Sequence, residues 1–513
     1  MALEFYKEIQ AHAQNQPDHP AIIEAQGTIT YRQLLDRIEG FAGGLDALDP
    51  GPDSKLAIMG LNQSETLVAM LGAFLKGVPV VPYNYLLAPD DLVYITQDAG
   101  VDLMMVNPAF IKEETKPFFA NFRYRILTGP EQDHGLPEET TLSFNAFVEG
   151  GDREKGKTRL QRSSNTPDMI LYTSGTTARP KGVGLNESQF FDNTTGVREH
   201  LPFTPEDRAI MALPLFHSFG NIIALVFLRA GGTLILIPQF QPKSILQGIT
   251  EHKATVLPLV PTIYSFLVQL YQRGGYDATS LNYCISGGAA LPHALLDQVE
   301  KTLGCTVLEG YGLTETSPVI AVNTMKHGSV VGSVGPVLPN VEVKIVNENG
   351  EEIPQGEVGE IVVKASTVME GYWKKPEETR KVLTADGWLK TGDLGHLDEE
   401  GRLYISAGRK KDLIIRAGEN ISPLAIENVL MNNPAVAEVA AIGVPHERMG
   451  EQVKVCLVLR EGAEATVQEL RNYCREKLPA FMTPDSFELY DALPKTPTGK
   501  ILKTQLREEA ANT

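Results

Sequence analysis

Short apolar runs alternate with helix-length amphipathic runs along most of this chain, and that alternation restricts the fold more than any other feature. Lys55-Leu56-Ala57-Ile58-Met59, Val78 to Pro82 and Leu103-Met104-Met105-Val106 have the length and composition of buried strands, while Ser64 to Lys76 spaces its apolar residues as a helix. A second block repeats the rhythm with Ala209 to Leu213, Thr233 to Ile237, Thr255 to Leu259 and Tyr283-Cys284-Ile285 as strands and helices between them. A strand that returns through a helix lies parallel to its predecessor, so the expected class is α/β with a large N-terminal domain of βαβ sheets. Ahead of these blocks stand a helical stretch, Phe5 to Ala13, and a hairpin made by Ala21-Ile22-Ile23 and Thr28-Ile29-Thr30-Tyr31.

The pattern then changes twice. From Gly335 to Val363 it becomes short strands and turns, with Val341 to Val346, the Asn349-Gly350 turn and Ile361-Val362-Val363, which predicts a small β-rich subdomain. After the basic stretch Arg409 to Arg416 a fresh αβ pattern begins, through Pro423 to Met431, Val436 to Val444, Val453 to Leu459 and Val467 to Lys477. A chain of 513 residues exceeds what one core usually serves. The expectation is therefore an N-terminal domain over 1–410 and a small α+β C-terminal domain over 411–513, with the junction at Lys411.

The most distinctive segment is Thr173-Ser174-Gly175-Thr176-Thr177-Ala178-Arg179-Pro180-Lys181-Gly182, which follows the apolar run Met169-Ile170-Leu171-Tyr172. Hydroxyls, glycines and a cation at the end of a strand suit a polyphosphate, whose oxygens take backbone N–H groups and whose charge takes Lys181. It is not a Walker A loop, because Pro180, Lys181 and Gly182 stand where that pattern asks for Gly-Lys-Ser/Thr. A surface turn explains an isolated Thr-Gly-Thr better than it explains ten consecutive suitable residues.

Four later segments accompany it: Glu309-Gly310-Tyr311-Gly312-Leu313-Thr314-Glu315, Gly387-Trp388-Leu389-Lys390-Thr391-Gly392-Asp393, Gly408-Arg409-Lys410-Lys411-Asp412 and Pro494-Lys495-Thr496-Pro497-Thr498-Gly499-Lys500. In this order and spacing the five resemble the adenylate-forming superfamily of acyl-CoA synthetases, luciferases and peptide-synthetase adenylation domains, over almost the whole chain. The resemblance implies activation of a carboxylic acid by ATP. The carboxylate attacks the α-phosphorus, pyrophosphate leaves, and the acyl-adenylate passes its acyl group to CoA.

By the same resemblance Thr173, Ser174, Gly175, Thr176, Thr177 and Lys181 grip the β- and γ-phosphates, Glu315 organises Mg2+, and Thr314 contacts the α-phosphate. Asp393 suits the ribose diol, since a bidentate carboxylate matches two vicinal hydroxyls, and Arg409 is the second ribose contact. Tyr311 lies beside adenine with Gly310 and Gly312 next to it, and Gly287, Gly288 and Ala289 let nucleotide and acyl group approach the backbone. Lys500 stabilises the α-phosphate as pyrophosphate departs. His217, in Pro214-Leu215-Phe216-His217-Ser218-Phe219-Gly220, orients the substrate carboxylate or gates the thiol route, although a lone histidine in such a setting is more often a satisfied core residue. Phe216, Phe219 and Ile222 to Phe227 become candidate acyl-chain walls. The C-terminal domain is mobile by this resemblance, with Lys411 as hinge and Gly418-Glu419-Asn420 turning towards the thiol entrance.

Within the family the segments from Glu309 to Glu315 and Phe216 to Gly220 most resemble ligases of medium- or long-chain fatty acids. No Asp stands near Phe216-His217 to hold an amino-acid ammonium, and no carrier domain follows Lys500. Loading of a carrier protein, aryl-CoA formation and luciferase-like oxidation are the alternatives within the fold; a non-catalytic nucleotide-binding protein is the alternative outside it. Two departures stand out. Asn186-Glu187-Ser188-Gln189 replaces the Thr-His-Arg-Asn of many relatives, and Pro423-Leu424-Ala425-Ile426-Glu427 lacks the first of two customary acids.

Apolar and charged fractions of 42% and 21% exclude a disordered chain, and a net charge of −18 argues against nucleic acid as partner. Positive potential for ATP must then be collected locally, by Arg179 with Lys181, Arg409 to Lys411, and Lys495 with Lys500. Cys284, Cys305, Cys456 and Cys474 form no CxxC pair, and Met1-Ala2-Leu3-Glu4 begins no secretory leader, so reduced thiols in a cytoplasm are expected. Ile222 to Phe227 and Thr233 to Ile237 are interrupted by Arg229 and a Gly pair, so no transmembrane helix is expected. Peripheral membrane contact stays open, as does assembly, with a homodimer among the options.

Overall fold

The computed structural model describes residues 3–129, 134–162, 166–173, 179–409, 412–416, 419–446, 449–496 and 499–511. Among them four sheets form. One eight-stranded sheet runs Val319–Val322, Thr306–Gly312, Tyr283–Ser286, Val256–Leu259, Arg208–Met211, Thr233–Leu236, Pro20–Glu24, Gly27–Thr30. The other runs Gly371–Tyr372, Lys181–Leu185, Met169–Thr173, Val80–Pro82, Leu56–Met59, Leu103–Val106, Tyr124–Leu127, Thr141–Ser143. Both are parallel through the middle, as the strand–helix alternation predicts, and antiparallel at edges such as Thr306–Gly312 with Val319–Val322.

These strands read as unbroken apolar runs because both faces are buried. Ala209 and Met211 join one apolar cluster while Ile210 and Ala212 join another. Leu234 and Leu236 likewise part from Ile235 and Ile237, and Leu56 and Ile58 from Ala57 and Met59. The cluster shared by the two sheets holds the helices Ser64–Lys76 and Ser218–Ala230, which are buried on nearly every side, as helices without a polar face must be. Ile222 to Phe227 therefore belongs to the core between the sheets. No described helix is long and apolar enough to cross a membrane.

A five-stranded antiparallel sheet follows, in the order Ser333–Pro336, Arg402–Arg409, Leu389–Leu397, Gly359–Lys364, Glu342–Val346. The β-rich region is thus longer than the expected span ending at Val363. Strands Leu389–Leu397 and Arg402–Arg409 carry Leu389 to Asp393 and Gly408-Arg409. The fourth sheet is built from residues 414–489: Glu419–Ile421, Ile414–Arg416, Gly450–Leu459 and Val436–His446, with Ser486–Leu489 beside Gly450–Leu459. Its apolar clusters are distinct from those of the preceding sheets. Helix Pro423–Met431 packs against strand Arg402–Arg409, and Ser422 donates a hydrogen bond to the Ser406 carbonyl at 3.2 Å.

Candidate active site

Strand Met169–Thr173 pairs antiparallel with Lys181–Leu185, Thr173 opposite Lys181, so the residues flanking the phosphate-loop candidate lie side by side. The second strand escapes sequence reading because it contains two glycines. A Cβ at Gly182 would stand 2.8 Å from the Ile170 side chain, closer than such contacts allow, and one at Gly184 would be tight at 3.2 Å from Pro167. Ser174, Gly175, Thr176 and Thr177 lie outside the described residues, while Thr173 and Lys181 anchor the two ends. Lys181 Nζ pairs with Glu378 at 2.7 Å and sits 5.3 Å from the centre of the Tyr372 ring. Hydrogen bonding from Lys181, then from Lys381, pulls the Glu378 carboxyl down to about 2. Arg179 lies 5.2 Å over Tyr94.

Tyr372 links this cation to the Glu309–Glu315 segment. It lies on Gly371–Tyr372, which pairs with Lys181–Leu185, and its hydroxyl donates to Glu315 Oε1 at 2.9 Å. Neither Tyr372 nor Glu378 had a motif to announce it; sheet pairing brings them in from almost two hundred residues away. Glu315 occupies a single helical turn, Thr314–Thr316, reached through Gly312, where a Cβ would lie 2.0 Å from the Pro318 carbonyl oxygen. Thr314 Oγ1 is 3.2 Å from Ser218 Oγ, which joins this turn to the start of helix Ser218–Ala230.

His217 caps that helix. Its Nδ1 accepts the Phe219 N–H at 3.3 Å, which leaves the proton of the neutral ring on Nε2. Burial, and secondarily the charge of Lys500, lower its pKa to about 4. His217 is thus half-buried, caps the helix and lies within the field of Lys500. Lys500 arrives on a tight turn in which Lys500 N–H donates to Thr496 Oγ1 at 3.0 Å and Thr496 N–H to the Lys500 carbonyl at 2.6 Å. Gly499, with φ of 83°, turns its carbonyl to accept from Thr262 Oγ1 at 3.1 Å, at the start of helix Pro261–Tyr271. Thr262 is a further residue that no sequence signal marked. Lys495 faces away and pairs with Glu438 at 2.5 Å.

Tyr311 and Asp393 meet directly. The phenol donates to Asp393 Oδ2 at 2.6 Å, and Asp393 N–H donates to Thr391 Oγ1 at 3.1 Å. Asp393 stands opposite Arg409 across the strand pair. Gly288 has φ of 79°, a conformation that favours glycine, and a Cβ on the neighbouring Gly287 would press 3.2 Å against the Phe219 ring. Ala289 continues that loop, and Gly310 lies on the next strand opposite Val322. Phe216 meets Tyr85 edge-on at 5.2 Å, and Tyr85 stacks on Phe110 at 4.6 Å. Lys411 and Gly418 lie outside the described residues.

The two departures have structural partners. Glu187 is buried, accepts the Phe5 N–H at 3.3 Å and donates its own backbone N–H to Asp168 at 2.8 Å; burial raises its carboxyl to about 7. At Ala425 only the backbone N–H is engaged, with Ser422, while Glu427 accepts from Ala441 N–H at 2.8 Å and pairs with Lys503 at 2.6 Å.

Glu378 holds Lys181, the cation that the resemblance assigns to the phosphates. Glu378→Gln should therefore lower KM for ATP by up to about five-fold, the scale of a partly exposed ion pair. Steady-state kinetics at low salt checks this, and a raised KM would show that Glu378 positions Lys181 instead of competing for it.

Residues 9–373 match the AMP-binding enzyme family and residues 425–500 match the AMP-binding enzyme C-terminal domain. This chain belongs to the AMP-binding enzyme family. Among its relatives, a long-chain-fatty-acid–CoA ligase of Bacillus subtilis (strain 168) is 35% identical, covering 96% of this chain and 92% of that protein. A feruloyl-CoA synthase of Amycolatopsis sp is 32% identical, covering 95% of this chain and 96% of that protein. The crystal structure of ATP-bound MatB from Rhodopseudomonas palustris superposes with a TM-score of 0.88 at 30% identity, covering 100% of this chain and 99% of that one.

Proposed function

We propose that this protein is an AMP-forming acid–thiol ligase that activates a medium- or long-chain fatty acid with ATP and transfers the acyl group to CoA. The observation that carries the reading is that residues of four motif segments meet or act on one another, Lys500 on His217, Thr314 beside Ser218 next to His217, and Tyr311 on Asp393. Asp393 accepts the ribose hydroxyls and Tyr311 flanks the base, its hydroxyl fixing the carboxylate. Lys181 and the loop from Thr173 to Thr177 take the β- and γ-phosphates. Thr314 and Lys500 meet the α-phosphate, where negative charge builds as the acid's carboxylate oxygen bonds to phosphorus and the bond to pyrophosphate breaks. His217 is neutral when the acid is ionised, so it adds no charge and offers its Nε2 proton to the acid's carboxylate oxygen.

Magnesium needs few protein ligands, since one or two carboxylates and substrate phosphates complete its shell. Glu315, with one oxygen bonded to Tyr372 and lone pairs to spare, fits that demand, and no cluster of three or more metal-ligating side chains occurs among the described residues. When bound there, the ion neutralises phosphate charge.

In the second half-reaction the CoA sulfur attacks the acyl carbon and AMP leaves. Lys500 blocks that approach while docked at Thr262, so residues 411–513 rotate as a unit about Lys411 between the two steps. A second copy of the chain and a cytoplasmic site are compatible with this scheme and play no part in it.

The fatty-acid assignment rests on the apolar surroundings of Phe219 and on the long-chain-fatty-acid ligases among the relatives. The aromatic group of Tyr85, Phe110 and Phe216, with the feruloyl-CoA synthase among the relatives, favours an aryl acid as second reading. Pyrophosphate release measured over a ladder of linear acids separates the two. The expected result is tighter binding by about 0.8 kcal/mol per added buried CH2 until the pocket ends. Benzoate or cinnamate outperforming octanoate would transfer the assignment to the aryl class, and release without a CoA thioester product would transfer it to carrier-protein loading.

A further inference from the structure

Two cysteines that stand twenty-one residues apart in the chain come together in the fold. Cys284 lies on strand Tyr283–Ser286 and Cys305 just ahead of the neighbouring strand Thr306–Gly312, and their sulfur atoms are 3.5 Å apart. The strands are parallel, with Tyr283 opposite Thr306 and Cys284 opposite Val307, so the two side chains face each other diagonally across one pair of the sheet. Both belong to the apolar cluster on the outer face of that sheet.

The pair is asymmetric in access and in acidity. Cys284 is fully buried, beneath Tyr264, whose hydroxyl is taken by the Ile285 carbonyl at 3.1 Å. Cys305 is 8% exposed and follows Gly304, the left-handed residue that ends helix His293–Leu303, where an added Cβ would meet open space. A small solute thus reaches Cys305 first. Burial pushes the Cys284 thiol up, whereas the hydrogen bond that Cys284 donates draws the Cys305 thiol down. The less deeply buried sulfur is the better nucleophile and the protonated one lies behind it, the division of labour an oxidisable dithiol needs.

We propose that Cys284 and Cys305 form a peroxide-oxidisable dithiol that closes to an intramolecular disulfide and is reopened by thiols. The Cys305 thiolate attacks one peroxide oxygen, the O–O bond breaks, and Cys305 sulfenic acid and hydroxide result. Cys284 sulfur then attacks the Cys305 sulfur; the S–S bond forms, the S–O bond breaks, and the departing hydroxide takes the Cys284 proton. Two thiols and one hydrogen peroxide give one disulfide and two waters, with both sulfurs oxidised and both peroxide oxygens reduced. Closure brings the sulfurs from 3.5 Å to bonding distance, roughly 2 Å, within reach of side-chain rotation between adjacent strands. Such bonds in reducing compartments are transient and responsive rather than structural.

Cys456 and Cys474 serve as internal references: both are buried in separate clusters, and burial pushes each thiol up to about 11. The full-length protein is exposed to stoichiometric hydrogen peroxide, quenched with a thiol-blocking reagent and digested with trypsin, which cuts between the two cysteines after Lys301. The expected product is a linked Cys284–Cys305 peptide lighter by two hydrogens, abolished by dithiothreitol, forming at least about ten-fold faster than any change at Cys456 or Cys474. Cys305→Ser should leave Cys284 unmodified under the same exposure, while Cys284→Ser should drive Cys305 on to sulfinic acid. Absence of the linked peptide in the wild-type protein, or oxidation of Cys284 undiminished in Cys305→Ser, overturns the proposal.

Discussion

Lys500→Ala is expected to slow adenylate formation by roughly 10²- to 10³-fold, the usual consequence of removing one group aimed at charge that develops in the transition state. Thioester formation from supplied acyl-adenylate should change by no more than a few-fold. The split follows from where the side chain stands. Its charge acts on His217, yet the turn that carries it is held by backbone atoms, through the Gly499 carbonyl on Thr262 and the Thr496–Lys500 bonds. Truncating the side chain leaves those contacts in place, so docking survives while the charge is lost. The two half-reactions are measured separately by pyrophosphate release and by acyl-CoA formation. Equal losses in both would assign Lys500 to closure of the cleft instead of to charge stabilisation.

Asp393→Ala should raise the dissociation constant of ATP by roughly ten- to hundred-fold, the worth of hydrogen bonds to a charged acceptor, and should impair both half-reactions because the ribose is present in each. Part of that loss comes from the free protein, since the Tyr311 hydroxyl loses the acceptor it meets at 2.6 Å. Asp393→Asn separates the contributions: it keeps an acceptor for Tyr311 and loses the charge offered to the diol. ATP and its 3′-deoxy analogue, compared by calorimetry, should differ for the wild-type protein and bind alike to Asp393→Ala. An undiminished preference for the intact ribose in that variant would remove Asp393 from the diol site.

The layered fold was legible because its central strands are short apolar runs buried on both faces, separated by runs of helix length. Runs such as Ala57-Ile58-Met59 or Ala209-Ile210-Met211 have no polar register to confuse with a loop, and every one of them forms a strand. Lys181 to Leu185 was missed for the converse reason, since Gly182 and Gly184 erase the apolar signal while satisfying packing that only the neighbours reveal. The motif residues Thr314, Glu315, Tyr311 and Asp393 were visible in the sequence, because contiguous segments carry them. Tyr372, Glu378 and Thr262 were not, because each meets a motif segment, at Glu315, Lys181 and Gly499, only through a pairing or a docking between distant segments. The Cys284–Cys305 approach was hidden likewise: nothing in a twenty-one-residue spacing says that two strands will lie side by side. The residues from Ser174 to Thr177, Lys411 and Gly418 fall outside the described structure, so their parts in the scheme rest on the resemblance and on their neighbours.

The most direct measurement follows the oxygen that the acid gives up. Octanoate carrying a heavy-oxygen label in its carboxylate is incubated with the protein, ATP and CoA, and the nucleotide products are read by mass spectrometry. Attack of the carboxylate on the α-phosphorus transfers one labelled oxygen to AMP and none to pyrophosphate, with octanoyl-CoA as the thioester product. Label in inorganic phosphate with ADP as the nucleotide, or unlabelled AMP, would contradict activation through an acyl-adenylate.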